Sequence, residues 1–166
     1  MGGLSVSFAK ADAGEICRNI VDELRISSSA DIVLTVHGDL TGSWDADHLA
    51  TVISNLVGNA IDHATVDSPI TVDARGEEGA VNVDITNRGQ TIPPESLAVI
   101  FLAYRQASVA AKRSNEHLGL GLYIASEIVR AHGGSITVRS EGGTTTFTVR
   151  LPRVPPAAPS GSSLGA

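Results

Sequence analysis

A chain of 166 residues with 42% hydrophobic and 18% charged content is long enough to bury a core and too apolar to remain disordered. Its net charge of −6, with Lys112-Arg113 as the one adjacent basic pair, argues against nucleic acid as a partner. Cys17 is the single cysteine, which excludes an intramolecular disulfide, and no apolar run is long enough to span a membrane, so a cytoplasmic domain without membrane contact is expected.

Asp12 followed by Glu15 is a variant of the capping box and predicts a helix. Ile16, Ile20 and Leu24 recur in it every four residues, Cys17 reads as a small buried hydrophobe, and Ser27-Ser-Ser stops it. Asp31 to His37 has strand composition, and Gly38 to Gly42 reads as loop. Asp45 is placed to cap the next helix, along which Leu49, Val52, Ile53, Leu56, Val57, Ala60, Ile61 and Ala64 recur over about four turns. Ile70, Val72 and Ala74 alternate with polar residues, as do Val81, Val83 and Ile85. Gly76-Glu-Glu-Gly79 joins these two strands as an antiparallel hairpin. Residues 87 to 94 read as loop and Glu95 to Phe101 as a short helix. Residues 102 to 116 are small, polar and basic without a period, the character of a lid or binding loop. A helix follows over about Leu120 to Ala131, stopped by Gly133-Gly134. Strands Ser135–Ser140 and Thr144–Leu151 then pair around Glu141-Gly-Gly. The end is rich in Pro, Ala, Ser and Gly, which predicts one domain over residues 1–152 and a disordered tail over 153–166. The succession predicts an α+β fold, a two-layer α/β sandwich whose mixed, mostly antiparallel sheet carries helices on one face.

Three polar stretches stand out. On the long helix, Asn55, Asn59 and Asp62 fall within about 60° of one another, beside the apolar face. Amides at such an edge bond neighbouring backbone, meet solvent or face a cavity. A carboxamide oxygen is also a hard ligand suited to Mg²⁺. Asn87-Arg-Gly89 leaves a strand; it reads as a turn, or as a hydrogen-bonding group beside a glycine that a flat base can approach, with Ile92 as an apolar floor. Gly119-Leu-Gly121 opens a helix, where N–H groups and the helix dipole favour an anion. Ile124 stands where a dinucleotide fingerprint has its third glycine, and no Gly-Lys-Ser/Thr of a Walker loop occurs.

At these residues the chain resembles the catalytic, ATP-binding domain of bacterial sensor histidine kinases, within the Bergerat-fold superfamily. The resemblance covers roughly residues 4 to 152. Asn55-Leu-Val-Gly-Asn59-Ala-Ile-Asp-His63 resembles the N box and Thr86-Asn87-Arg-Gly89-Gln-Thr-Ile92-Pro-Pro the first glycine box. Ile100-Phe101-Leu-Ala-Tyr104-Arg105 resembles the F box. His117-Leu-Gly119-Leu-Gly121-Leu-Tyr-Ile, with His132-Gly-Gly and Phe147 to Pro152, resembles the second glycine box and terminal hairpin. The wording around Asn87 and Gly121 is similar to that of phytochrome-type kinases. The resemblance implies ATP and Mg²⁺ as cofactors, with Asn59 as the metal ligand and Asn55 supporting the phosphate region. It further implies His63 against the adenine or ribose, Asn87 reading the adenine amino group, Gly89 and Ile92 beside the base, and Arg105 reaching the phosphates. Leu118, Gly119 and Gly121 would line the triphosphate. No catalytic side chain is assigned in this chain.

Four positions depart from the family's usual wording: Asn87 stands for Asp, Asp62 for a frequent Lys, and His117 and Thr144 for frequent glycines. Asn87 can donate as well as accept, which makes guanine O6 a conceivable partner. The family's phosphoacceptor is a His followed by an acidic residue, and none of His37, His48, His63, His117 and His132 has that neighbour. The implied activity is therefore transfer of the γ-phosphate to a histidine on a separate helical-hairpin domain of the same or another kinase, with a response regulator downstream and no autophosphorylation by this chain alone. The alternatives are an anti-sigma-factor-type serine kinase, which usually carries Glu where Asn55 stands, and a degenerate, non-catalytic nucleotide- or protein-binding module.

Overall fold

The computed structural model describes residues 3–102 and 118–157. Strand β1 (Ala9–Asp12) leads directly into helix α1 (Ala13–Ser28), because the Asp12 carboxylate accepts the N–H groups of Gly14 and Glu15. Ser29 ends the helix in the left-handed conformation, at φ 56°. Strands β2 (Ile32–His37) and β3 (Thr41–Trp44) precede the long helix α2 (Ala46–His63). The hairpin β4 (Ile70–Gly76) and β5 (Ala80–Arg88) follows, then the one-turn α3 (Pro94–Leu97), helix α4 (Leu118–Ala131), and the hairpin β6 (Ser135–Glu141) and β7 (Thr144–Pro152).

Five strands form one sheet in the order β2-β4-β5-β7-β6, parallel between β2 and β4 and antiparallel elsewhere. Helices α1, α2 and α4 pack against it, and the core lies between the layers: Val52, Leu56 and Val57 of α2, Ile128 and Val129 of α4, and Val72, Val83, Ile85, Phe147 and Val149 of the sheet are buried. The expected α+β sandwich, with its mixed and mostly antiparallel sheet, is the fold observed. The helical period of α2 and the two-residue alternation of the strands each place one apolar face inward, so the two patterns can be satisfied only by stacking.

Several boundaries differ from expectation. Strands β1 and β3 pair with each other, Ala9 opposite Trp44, and the first half of β3, Thr41-Gly42, lay in the loop expected over Gly38 to Gly42. Four residues containing Gly and Ser carry little strand propensity; a distant partner makes the strand. Asn87 and Arg88 belong to β5 rather than to the following loop, because Thr145 and Thr144 of β7 continue the ladder past them. The helix expected to Phe101 ends as α-helix at Leu97, and residues to Leu102 continue as single turns. Helix α4 already includes Leu118, Gly119 and Gly121. Arg153, which composition had put in the tail, is tied into the fold: its guanidinium donates to the carbonyls of Asp39, Thr41 and Glu77. The tail beyond 157 and the lid stretch from 103 lie outside the described residues.

Two caps fix the ends of α2 and α4. Asp45 caps α2 through the His48 N–H at 3.1 Å, and its other carboxylate oxygen accepts the Ser7 N–H at 2.9 Å. The Ser7 bond, then that from His48, holds the Asp45 carboxyl below the usual carboxylate range, against the opposing effect of burial. The Asp45 N–H in turn donates to His132 Nε2 at 3.1 Å, while His132 Nδ1 donates to the Ile128 carbonyl at 2.8 Å. A pKa depressed by folding means that stabilisation is complete above the ordinary carboxylate range and is lost as pH falls through the depressed value. Asp45→Ala is therefore expected to lower stability at neutral pH by about 1 kcal/mol, and the thermal midpoint by about 2–4 °C. Melting curves at stepped pH will show the gap from the unmodified chain closing as pH drops below about 4.

Candidate functional site

The inner face of the sheet changes character at one end. Along β5 it runs Val81, Val83, Ile85 and then Asn87; along β7, Leu151, Val149, Phe147 and then Thr145; along β6, Ile136, Val138 and then Ser140. The register sets Asn87 opposite Thr145 and Thr145 opposite Ser140, so the three polar residues form one row across three adjacent strands. Successive residues point to opposite faces, so this row faces the helices, as the apolar rows behind it do.

Above the row lies a cavity of about 380 Å³, lined by Asn59 and His63 of α2, Leu122 of α4, Ile92, Pro93 and Ile100, and by Asn87 and Thr145 of the sheet. Asn87 is 3%, Thr145 5% and Asn59 8% exposed. With His132, whose two ring nitrogens are both engaged, they are the buried polar residues among those described. Buried polar groups are ordinarily hydrogen-bonded within the protein. No group among the described residues hydrogen-bonds the carboxamide of Asn59 or of Asn87, and neither carries a sealed-off atom, so both amides open onto the cavity. A second concavity of about 370 Å³, between Ser29 and Ile70, has none of these buried polar residues in its walls. That contrast singles out the first.

Asn55, Asn59 and His63 follow one another at i, i+4 on α2 and so share a stripe. The stripe has three separate surroundings. Asn55 does not line the cavity; its Nδ2 donates to the Gly121 carbonyl at 3.2 Å and ties α2 to the first turns of α4. Asn59 faces the cavity, and His63 lies at its exposed rim. Asp62, on the same stretch, is exposed and outside the lining. Ile92, expected beside the base, is among the lining residues, and its N–H donates to Ser140 Oγ at 2.8 Å.

Gly89 plays a different part from the one expected. It does not line the cavity; a Cβ at this position would overlap the carbonyl oxygen of His63. What approaches its backbone is the end of α2. On its other side the Gly89 N–H donates to the Gly143 carbonyl at 2.9 Å, and the Gly143 N–H donates to Thr91 Oγ1 at 2.8 Å. Gly121 is the opposite case: a Cβ there would stand 3.5 Å from the Asn55 side chain, an ordinary contact. Leu118 and Gly119 lie in the first turn of α4, and Arg105 falls outside the described residues. Sequence reasoning missed Thr145, Leu122, Pro93 and Ile100 as lining residues; the polar interruption of the Leu151-Val149-Phe147 alternation at Thr145 was the signal available for the first.

Residues 44–155 match the family described as histidine kinase-, DNA gyrase B- and HSP90-like ATPases. The chain belongs to this family. Within it, the chain is 34% identical over 120 residues to the sensor protein VanSC of Enterococcus gallinarum, an alignment spanning 72% of the chain and 33% of that protein. The catalytic domain of the histidine kinase ThkA shares its fold at a TM-score of 0.74 and 25% identity, covering 90% of the chain and 97% of that domain. Full-length ShkA in complex with AMPPNP superimposes at a TM-score of 0.78 and 24% identity, over 95% of this chain and 33% of that one. The chain thus spans about a third of the length of VanSC, and it corresponds to the kinase-type ATP-binding domain of such sensor proteins. No helix among the described residues is long and apolar enough to cross a membrane.

The two glycines separate fold from site. Gly89→Ala must push the His63 carbonyl away and is expected to lose about 1–3 kcal/mol of stability. Gly121→Ala fits, and as a replacement at the fourth residue of α4 is expected to leave stability unchanged or raise it by up to about 1 kcal/mol. Urea denaturation of the two variants against the parent chain checks both signs.

Proposed function

We propose that this domain binds ATP with Mg²⁺ in the cavity between Asn59 and Asn87 and passes the γ-phosphate to a histidine on a helical-hairpin partner domain. The observation that carries the reading is the pair of buried carboxamides, Asn59 from the helix layer and Asn87 from the sheet layer, opening into one cavity with no protein partner among the described residues. A purine edge needs such a hydrogen-bonding group over a polar floor and between apolar walls, which Ile92, Ile100 and Leu122 supply.

The donor set fits magnesium. Asn59 offers one neutral hard oxygen, and no group of three or more His, Cys, Asp or Glu side chains among the described residues could hold a metal alone. An ion held by one carboxamide takes its other ligands from phosphates and water, the usual habit of Mg²⁺. When bound, it neutralises phosphate charge during transfer. The chain's own work is positional. Asn59 lies between His63 at the rim and Asn55, whose Nδ2 donates to the Gly121 carbonyl, so phosphates held at Asn59 would lie beside the first turns of α4, where Gly119 and Gly121 stand. The first turn of a helix directs N–H groups and a favourable dipole toward an anion. The partner's imidazole nitrogen forms a bond to the γ-phosphorus as the bond to the ADP oxygen breaks. The AMPPNP bound by the full-length relative ShkA supports ATP as the nucleotide.

An exposed apolar pair supports a protein partner. Leu120 and Ile124 are 45% and 36% exposed, one turn apart on α4 and next to the glycines. Adjoining exposed apolar side chains are the raw material of a protein contact surface. The pair suits a helical partner.

Two experiments test the reading. Asn59→Ala is expected to weaken Mg²⁺-dependent ATP binding at least about tenfold while the melting curve stays near that of the parent; unchanged affinity by titration calorimetry removes Asn59 from the site. The double variant Leu120→Glu, Ile124→Glu is expected to bind ATP normally and to lose transfer of ³²P from ATP to an added helical-hairpin domain. Transfer at the parental rate rules out this face as the docking surface.

A further inference from the structure

We propose that the base-reading end of this cavity accepts guanine as readily as adenine, so that the domain uses GTP alongside ATP; the inference rests on the nucleotide reading above. Adenine presents a donor, its amino group, beside an acceptor, N1. Guanine presents the reverse, the O6 acceptor beside the N1–H donor. A carboxylate accepts only; set against the six-position of the base it meets the adenine amino group and opposes guanine O6. Asn87 carries one acceptor and one donor at the tip of its side chain, and a half-turn about its last torsion exchanges them. In one orientation the amide pairs with the adenine edge, in the other with the guanine edge, by two hydrogen bonds each time.

Such indifference requires that the protein not fix the amide. Among the described residues nothing does: Asn87 is nearly buried, yet no hydrogen bond from the protein holds either end of its side chain. Its neighbour across the ladder is equally uncommitted. Thr145 Oγ1 lies 2.8 Å from Ser140 Oγ, with either oxygen able to donate. Ser140 Oγ already accepts the Ile92 N–H at 2.8 Å, which leaves it one proton and one lone pair. If Ser140 donates to Thr145, the Thr145 proton is free for a ligand acceptor; if Thr145 donates to Ser140, a Thr145 lone pair is free for a ligand donor. The polar row therefore presents no fixed pattern of donors and acceptors. What remains selective is apolar contact: Ile92, Ile100 and Leu122 wall the cavity, and a two-ring base offers them more flat surface than a single ring.

Calorimetric titration of the whole chain with ATP, GTP and CTP, each with Mg²⁺, tests this. ATP and GTP are expected to bind within about tenfold of one another, and CTP at least about tenfold more weakly than either. Asn87→Asp, with folding checked by its melting curve, is expected to move the ATP-to-GTP affinity ratio toward ATP by at least about tenfold. A preference of the unmodified chain for ATP over GTP beyond about a hundredfold, or a ratio that Asn87→Asp leaves unmoved, overturns the inference and leaves the ATP site standing. Failure of ATP itself to bind overturns both.

Discussion

The carbonyl oxygen of His63 lies against the backbone of Gly89 where no side chain would fit. Beside it, the Thr65 N–H donates to the Arg88 carbonyl at 2.7 Å. These contacts clamp the last turn of α2 onto the exit of β5. Asn59 is one turn before His63 and Asn87 two residues before Gly89, so the clamp also sets the two amides facing one space. The opposite side of the same glycine is bonded to Gly143 in the β6–β7 turn, which brings Ser140 and Thr145 into line. Three segments far apart in the chain are held together at a residue with no side chain.

This arrangement works against stability. An amide that faces a cavity adds no hydrogen bond to the fold, about 0.5–1.5 kcal/mol of stabilisation forgone, and among the described residues Asn59 and Asn87 are in that condition. The apolar rows immediately behind them offset the loss: Ile85, Phe147 and Val149 are wholly buried, and Phe101 packs edge-on against Phe147 with ring centroids 6.0 Å apart. His132 shows how the same fold treats a polar residue that serves only architecture. Both its nitrogens are paired, and Phe8 stands edge-on to its ring at 5.3 Å. Cys17 is also architectural, with burial pushing its thiol up to about 12, far from a nucleophile. Among the described residues, the amides without a protein partner stand where the proposed ligand would pair them.

Most of this was legible where the determinants are local. The caps at Asp12 and Asp45, the helical period of α2 and the alternation in β4 and β5 each lie within a few residues, and each element formed as those patterns demand. Where a distant partner decides, reading along the chain fell short. Strand β3 exists because β1 pairs with it, Asn87 is strand because β7 extends beside it, and Arg153 is ordered because three carbonyls from two other segments converge on it. Gly89 was legible as a position needing glycine, though the group that comes close is the protein's own carbonyl. The polar row was half legible: Asn87 stood out beside a glycine, whereas Ser140 and Thr145 looked like ordinary strand residues until the register aligned them.

The central claim is that one ligand engages the helix layer and the sheet layer together. The most direct measurement is a nuclear magnetic resonance titration of the ¹⁵N-labelled chain with ATP and Mg²⁺, following the side-chain NH₂ signals of Asn59 and Asn87. The account predicts that both pairs of signals move, with the same midpoint. Signals that stay still at either amide, or shifts confined to the concavity between Ser29 and Ile70, would contradict it.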